Sequence, residues 1–311
     1  MEKKELLNDY REYNIDLANV DLIIEYFKPG KMANSMIEYD DEFIEIKKNT
    51  IKQKEGKNKK KGFSLFGKNI ISNTGGNVVV MSNNKGSTVI VNGISYSSEG
   101  GCKTPLKISL CSANICDLLI NNCSGSVLIK DNAFEDNKEF GSIMVKTTSG
   151  DVEFDTCDFN KVSVNSTSGD VKLTNTSGKD VDIHTTSGDI SIASVGEFNN
   201  YSIESTSGDI NLIQASGQDI RVNTLSGDIF MENINTESLN ANSTSGDVNI
   251  SNNSVIKSGK VNTMSGDINV KDTTILDTFG FYGTSADITL DNCSYNKDMV
   301  LMKTFGDIRE R

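Results

Sequence analysis

Apolar and polar residues alternate along the second half of the chain in short runs that are interrupted by a recurring phrase. The phrase is Thr/Ser-Ser-Gly-Asp, as in residues 148–151, and Val or Ile follows the Asp in every copy. Apolar residues also recur three positions after the Asp and six positions before it, with few exceptions. A period of two with many β-branched residues predicts half-buried strands. Each copy is therefore predicted to be a strand, a tight corner and a second strand.

The Asp of the phrase defines a repeat of 19 or 20 residues. A unit this short cannot bury its own apolar face, so the copies must stack on one another. We therefore predict an all-β chain that forms a β-solenoid, a single-stranded β-helix with coils of about 20 residues. Its aspartates form a structural corner ladder of nine residues: Asp151, Asp170, Asp189, Asp209, Asp228, Asp247, Asp267, Asp287 and Asp307.

The first residues of the chain show a different pattern. Residues 1–13 are charged, and Leu6, Leu7 and Tyr10 follow helical spacing. This pattern predicts a short amphipathic N-terminal helix. We expect its apolar stripe to cover the first coil, because an open solenoid edge invites pairing with another chain.

The rest of the chain divides into two parts. Residues 14–142 are expected to form irregular β coils, with worn copies of the phrase at 18–22 and 124–127 and a Lys-rich insertion loop at 47–69. Residues 143–311 are expected to form the regular solenoid of nine repeats. Two short apolar runs around Asn83-Asn84-Lys85-Gly86 predict a β-hairpin inside the irregular part.

Tandem T-S-G-D-[VI] phrases at this spacing resemble the bacterial putative adhesin family of β-strand repeat proteins, a class known as a domain of unknown function. The resemblance covers residues 143–311 and extends over the N-terminal half. It implies a β-helical fold and work at the cell envelope. It implies no catalytic residue.

Composition and charge limit the classes of partner that the chain is expected to bind. The formal net charge of -12 and the pI near 4.7 disfavour nucleic acid, because duplex binding depends on Lys and Arg contacts with phosphates. No apolar run reaches the roughly 18 residues that span a bilayer, and no signal core follows Met1. We therefore expect a monomer in the cytoplasm, where it is free to associate with the cell envelope. We expect its partner to be an unknown protein or a component of the envelope.

The Lys-rich loop at 47–69 holds nine of the 31 basic residues. Cations beside exposed aromatic rings can contact an anionic membrane surface. The alternative is a solvated insertion, since charge runs usually only solvate. The candidate residues for a membrane or partner contact are Lys57, Lys59, Lys60, Lys61, Phe63 and Phe66.

The sequence offers little support for a metal site or a cofactor site. The stacked aspartates would repel one another, and either backbone N–H groups and hydroxyls offset this repulsion or a row of Ca²⁺ ions does. Each corner offers one carboxylate, so we expect the backbone interpretation. The six cysteines form no C-x-x-C pair and the only histidine is His184. We expect reduced thiols, no metal site and no cofactor.

Catalysis and ice binding are weaker hypotheses. Enzymes need clustered acids and bases on one face, whereas His184 is expected to be a surface residue without a matched nucleophile. Rows of Thr on flat solenoids can resemble ice-binding faces, but such a face needs two parallel outward rows. Seven copies carry the Thr, and two others interrupt the row: Thr148, Thr167, Thr186, Thr206, Leu225, Thr244, Met264, Thr284 and Thr304.

The sequence thus favours a non-enzymatic binding or scaffold protein of the putative adhesin type. In this hypothesis the flat ladder faces of the solenoid contact a macromolecular partner. The alternative is a membrane-associated regulator on the cytoplasmic face that docks through residues 47–69. An enzyme ranks third.

Overall fold

The computed structural model describes residues 2–7, 12–27, 35–54, 70–72, 78–83, 86–91, 94–97, 106–111, 117–131, 140–193 and 196–311. All regular secondary structure in these ranges is β, so the all-β prediction is confirmed. The strands are β1 (Glu2–Leu6), β2 (Glu12–Leu17), β3 (Leu22–Phe27), β4 (Met36–Asp40), β5 (Ile44–Lys47), β6 (Thr50–Gln53), β7 (Ile70–Ser72), β8 (Val78–Asn83), β9 (Gly86–Val91), β10 (Ile94–Ser97), β11 (Leu106–Cys111), β12 (Asp117–Asn122), β13 (Val127–Asp131), β14 (Phe140–Thr147), β15 (Val152–Asp155), β16 (Asp158–Ser166), β17 (Val171–Thr174), β18 (Ser177–Thr185), β19 (Ile190–Ala193), β20 (Phe198–Ser205), β21 (Ile210–Ile213), β22 (Ser216–Thr224), β23 (Ile229–Glu232), β24 (Asn235–Asn242), β25 (Val248–Ser251), β26 (Ser254–Thr263), β27 (Ile268–Lys271), β28 (Thr273–Ile275), β29 (Phe279–Gly283), β30 (Ile288–Asp291), β31 (Val300–Lys303) and β32 (Ile308–Glu310).

Successive repeats stack into a β-solenoid of about eight turns. Each turn contributes one strand to each of two 14-stranded sheets, and the strands of successive regular turns pair in parallel. Sheet A runs β1-β4-β11-β3-β13-β15-β17-β19-β21-β23-β25-β27-β30-β32. Sheet B runs β31-β29-β26-β24-β22-β20-β18-β16-β14-β12-β2-β6-β5, with β28 beside β26.

The predicted apolar columns point into the space between the two sheets. In one turn, Val152 and Phe154 of sheet A are buried, as are Val162 and Val164 of sheet B. Each fully buried side chain of this size contributes about 1.5–3 kcal/mol to folding. The last turn departs from the pattern, because Val300 and Met302 pair with the inward residues of β29 and leave Leu301 56% exposed.

Glycine occupies the first corner, where sheet B leads into sheet A, in the regular turns other than that of Asp287, which has Ala286. A Cβ added at Gly227 would lie 2.0 Å from the carbonyl oxygen of Gly208 in the preceding turn. The corner glycine also donates its N–H to a buried hydroxyl of its own turn, which is Thr224 Oγ1 at 3.1 Å from Gly227. The same arrangement recurs in neighbouring turns with Ser205 and Ser243. At Gly227 the turns therefore approach too closely for a side chain to fit without a shift of the neighbouring backbone.

The second corner uses a left-handed residue five positions after the Asp. Six of these residues are Asn, Gln, Asp or Thr with φ between 50° and 56°, and Asn is favoured because its side chain tolerates this conformation. The repeat from Asp247 to Asp267 is one residue longer, and both Asn252 and Asn253 have positive φ there. This corner absorbs the extra residue. The six residues are Thr156, Asn175, Gln214, Asn233, Asp272 and Asn292.

The predicted N-terminal helix is wrong. Residues 2–6 form β1, which pairs antiparallel with β4 at the edge of sheet A, and residues 12–17 form β2. Leu7 is buried but Leu6 is exposed, which is the alternation of a strand. The helical spacing of the apolar residues indicates only a weak local preference. Backbone pairing with the edge of β4 outweighs this preference. Tyr10 lies outside the described residues.

A long excursion separates turns that are neighbours in space. The corner after β2 stacks on the corner after β12, since Ser124 N–H donates to the Ala18 carbonyl at 2.8 Å. Between them the chain forms β4 to β11, including a four-stranded antiparallel sheet with the order β10-β9-β8-β7. The predicted hairpin is confirmed by the pairing of β8 with β9.

We expect Gly227→Ala to destabilise the solenoid by about 3 kcal/mol, because the added methyl meets a backbone carbonyl that cannot move without shifting a turn. Urea unfolding followed by circular dichroism measures this change. Ser226→Ala at the exposed neighbouring position is the control and should stay within about 0.5 kcal/mol of the natural chain. Equal stability of the two variants would contradict the close approach at glycine.

Candidate functional site

One column of outward side chains runs the length of sheet B. Its members lie opposite one another in successive strand pairs, five positions before the Asp in the regular turns up to Tyr282. Apart from the ring of Tyr282, every side chain in it is polar or charged. We call it the outer column: Lys52, Asp16, Asn121, Lys146, Asn165, His184, Glu204, Asn223, Asn242, Asn262, Tyr282 and Lys303.

The centre of the outer column is a hydrogen-bonded row of amides, Asn223, Asn242 and Asn262, which we call the amide row. Asn262 Nδ2 donates to Asn242 Oδ1 at 2.6 Å, and Asn242 Nδ2 donates to Asn223 Oδ1 at 2.8 Å. Asn223 Nδ2 donates in turn to Glu204 Oε1 at 3.4 Å. Each amide therefore has the same orientation as the next, and the row is held across three turns.

Half of the hydrogen-bonding capacity of the middle amide remains for a ligand. A carboxamide has two N–H donors and two acceptor lone pairs. Within the row, Asn242 uses one donor and one acceptor on its neighbours. One N–H and one lone pair remain, and the residue is half-buried.

An aromatic ring follows the amide row in the column. Tyr282 pairs with Asn262 in the β26–β29 register. A Cβ added at Gly280 would lie 2.3 Å from Cε2 of the Tyr282 ring. The ring therefore lies against the backbone of β29, which is possible because Gly280 has no side chain. Tyr282 therefore follows the row, and its ring lies over Gly280 beside the end of the row.

His184 precedes the amide row and contacts two carboxylates. Its Nε2 lies 2.9 Å from Asp182 Oδ1, and its Nδ1 lies 3.0 Å from Glu204 Oε2. His184 lies at the surface, as expected, and its partners are carboxylates rather than a Ser or Cys nucleophile. Glu204 was missed because it comes 20 residues later and is brought beside His184 only by stacking of β18 on β20. Both ring nitrogens are engaged by carboxylates.

The corner aspartates form a second ladder. The N–H of each Asp donates to Oδ1 of the Asp one turn earlier, at distances from 2.7 to 3.1 Å, from Asp151 to Asp307. Asp21 joins an earlier rung, since it accepts from Ser126 N at 2.9 Å. These N–H groups offset the repulsion between successive carboxylates. Across the described ranges, no group of three or more His, Cys, Asp or Glu is arranged to hold a metal ion.

The Toastrack DUF4097 family model matches residues 36–214 and 195–308. The chain belongs to this family. The match agrees with the T-S-G-D resemblance at the level of a domain family of unknown function. Within the described parts of the chain, no helix has the length and apolar character needed to cross a bilayer.

Solved structures that match the chain come from species of Parabacteroides and Bacteroides. A putative adhesin from Parabacteroides merdae is 10% identical with a TM-score of 0.43, over 100% of this chain and 95% of that one. A putative lipid binding protein from Parabacteroides distasonis is 13% identical with a TM-score of 0.44, over 100% and 96%. A putative adhesin from Bacteroides fragilis is 11% identical with a TM-score of 0.34, over 100% and 96%. No curated protein matches the chain.

Several predicted site residues lie elsewhere or outside the described ranges. The candidate loop residues Lys57, Lys59, Lys60, Lys61, Phe63 and Phe66 all lie outside the described residues. The Thr row lies along the first corners of successive turns. Leu225 and Met264 interrupt this row, and their side chains are 54% and 56% exposed. Among the described cysteines, Cys123 and Cys293 are free thiols, and Cys157 is buried with its Sγ 3.5 Å from the Ile129 carbonyl oxygen.

The outward face of sheet A carries a buried ion triad near the N-terminal end. Glu25 Oε2 lies 2.6 Å from Lys107 Nζ, and its Oε1 lies 2.8 Å from Lys130 Nζ. Burial alone would raise the pKa of Glu25, but hydrogen bonds and charges of the two lysines outweigh it. The pKa therefore lies below its ordinary value of 4.5. The two lysines come from β11 and β13, which flank β3.

We expect Asp228→Ala to cost about 1–2 kcal/mol, because the Asp247 N–H loses its acceptor. Asp228→Asn keeps an Oδ1 acceptor and removes one of the adjacent negative charges, so its stability should match or exceed that of the natural chain. Urea midpoints measured with Ca²⁺ and with chelator check both variants. A Ca²⁺-dependent rise in the natural chain that Asp228→Asn abolishes would indicate cation sites instead.

Glu25 should make stability depend on pH. Because its folded-state pKa is depressed, its contribution is fully present above about pH 4.5 and is lost as the pH falls through the lower folded-state value. We expect Glu25→Gln to be less stable at neutral pH and to show a flatter acid profile. The control is Glu153→Gln, which alters the exposed pair with Lys172. Parallel acid profiles of Glu25→Gln and the natural chain would contradict this assignment.

Proposed function

We propose that this chain is a non-enzymatic binding protein that presents the outward face of sheet B to a macromolecular partner. The observation that carries the proposal is the amide row. Its three side chains are aligned by hydrogen bonds from turn to turn, and half of the capacity of the middle amide is left to the outside. A row ordered in advance loses little conformational entropy when a ligand binds.

The support beneath the row favours binding without rearrangement. Val222, Ala241 and Val261 precede the three amides in the chain and are fully buried in the core. Side chains on strands held by such packing keep their positions better than side chains on loops. The row is therefore a rigid template that suits a ligand with repeating groups.

Sheet B is a better candidate than sheet A. Its regular strands have eight or nine residues in β16 to β24, whereas the strands of sheet A in the same turns have four. Sheet A also carries amides, since Asn269 Nδ2 donates to Asn249 Oδ1 at 3.2 Å. That contact joins only two turns, with the exposed ring of Phe230 on one side and Thr289 on the other, whereas the amide row joins three turns and continues to Glu204.

Two blocking variants test which face binds. Asn223→Arg/Asn242→Arg places long side chains on the amide row, and Asn249→Arg/Asn269→Arg adds the same charge to sheet A. The probe is insoluble bacterial cell-envelope material, and the readout is the fraction of protein that co-sediments. We expect the sheet B variant to lose binding about tenfold and the sheet A variant to retain it. Equal binding by both variants, or none by the natural chain, would contradict the proposal.

A second experiment tests whether the Lys-rich loop, rather than sheet B, is responsible for binding. Protein-free vesicles of anionic phospholipid replace the envelope material, and residues 55–69 are deleted. Vesicle binding that this deletion abolishes and the sheet B variant retains would assign the function to the loop and the membrane.

A further inference from the structure

We propose that the amide row and Tyr282 bind a linear, uncharged polysaccharide that lies along the solenoid axis, across the strands of sheet B. This inference rests on the proposed function and names the ligand class of the same face. It draws on the hydrogen-bonding capacity of the row, its spacing, its charge and the ring beside it.

The capacity left in the row matches hydroxyl groups. The middle amide, Asn242, has one donor and one acceptor that its neighbours do not use. A sugar hydroxyl is itself both a donor and an acceptor. A pair of neighbouring hydroxyls can therefore accept from the amide N–H and donate to the amide oxygen at one rung.

The spacing of the row suits a polymer. Neighbouring strands lie about 4.8 Å apart, so the rungs from Asn223 to Tyr282 extend over about 14 Å. This length accommodates several sugar units in a row but far exceeds one. A chain with hydroxyls on every unit can contact successive rungs, which adds weak contacts along a single ligand.

The Tyr282 ring supplies an apolar contact at one end. The ring lies against the backbone at Gly280, so its opposite face is turned away from β29. Aromatic rings combine a large apolar surface with a polar hydroxyl. The apolar face of a pyranose ring fits such a surface while its hydroxyls reach the neighbouring amide.

The charge of the site indicates an uncharged ligand. The chain has a formal net charge of -12, yet the four rungs from Asn223 to Tyr282 contain no ionisable carboxylate or ammonium. In the adjacent outward column, Arg221 is paired with Asp219 and Lys260 is exposed. A single unpaired cation beside the amide row gives little electrostatic attraction for a polyanion.

A peptide fits this face less well. Extended peptides usually bind by adding a strand to a sheet edge, where unpaired backbone groups give the affinity. The amide row lies in the middle of a sheet, and its strands β22, β24 and β26 are paired on both sides. Recognition at the row therefore has to use side chains, which suits hydroxyls.

Affinity electrophoresis in native gels tests the inference. The gels contain hydroxyethyl cellulose, galactomannan, mixed-linkage glucan or dextran, with polygalacturonate as the acidic comparison. We expect at least one neutral polysaccharide to slow the natural chain. Asn242→Ala and Tyr282→Ala should each raise the apparent Kd about tenfold, which corresponds to the loss of about 1.4 kcal/mol.

Asn249→Ala on sheet A is the matched control and should migrate like the natural chain. The urea midpoints of the three variants show that each one is folded. No retardation by any neutral polysaccharide, stronger retardation by polygalacturonate, or equal loss in Asn249→Ala would overturn the inference. If envelope binding still depends on Asn223 and Asn242 after such a result, only the ligand class fails. If that binding is also absent, the proposed function fails with it.

Discussion

The close approach of successive glycine corners is the constraint on which the structure depends. Each corner glycine places its missing Cβ about 2 Å from the carbonyl of the turn before, for example Gly246 against Gly227. At Gly246 any side chain would meet this carbonyl, so it would displace the neighbouring turn. The corners therefore set the register of every strand pair, and the apolar columns meet in the core because of it.

Register in the core also orders the outside. When Val222 and Ala241 stack inside sheet B, the neighbouring outward amides Asn223 and Asn242 must also lie opposite each other. Stacking in register places like polar groups beside one another. These groups would repel unless each had a hydrogen-bond partner. The aspartates receive a backbone N–H from the next turn, and the amides hydrogen-bond to one another. The regular repeat thus turns isolated polar residues into continuous rows.

Local pattern was sufficient for the regular turns and insufficient for the candidate site. The Asp column and the inward columns could be predicted because they repeat at a constant distance from the phrase. The amide row carries a weaker signal, Asn at the same position in three consecutive copies, and aligning outward columns as carefully as inward ones would have found it. The pairing of His184 with Glu204 carries no local signal.

The sequence by itself determined the all-β class, the repeat of 19 or 20 residues and the side chains that face the core, because alternation along a strand is a local property. Only the tertiary structure decided that residues 2–6 form an edge strand and that the corner at Ala18 stacks on Ser124. It also brought Glu204 to His184 and Tyr282 to the end of the amide row. The physical reason is that stacking depends on unpaired backbone edges of distant segments, which no local pattern of side chains records.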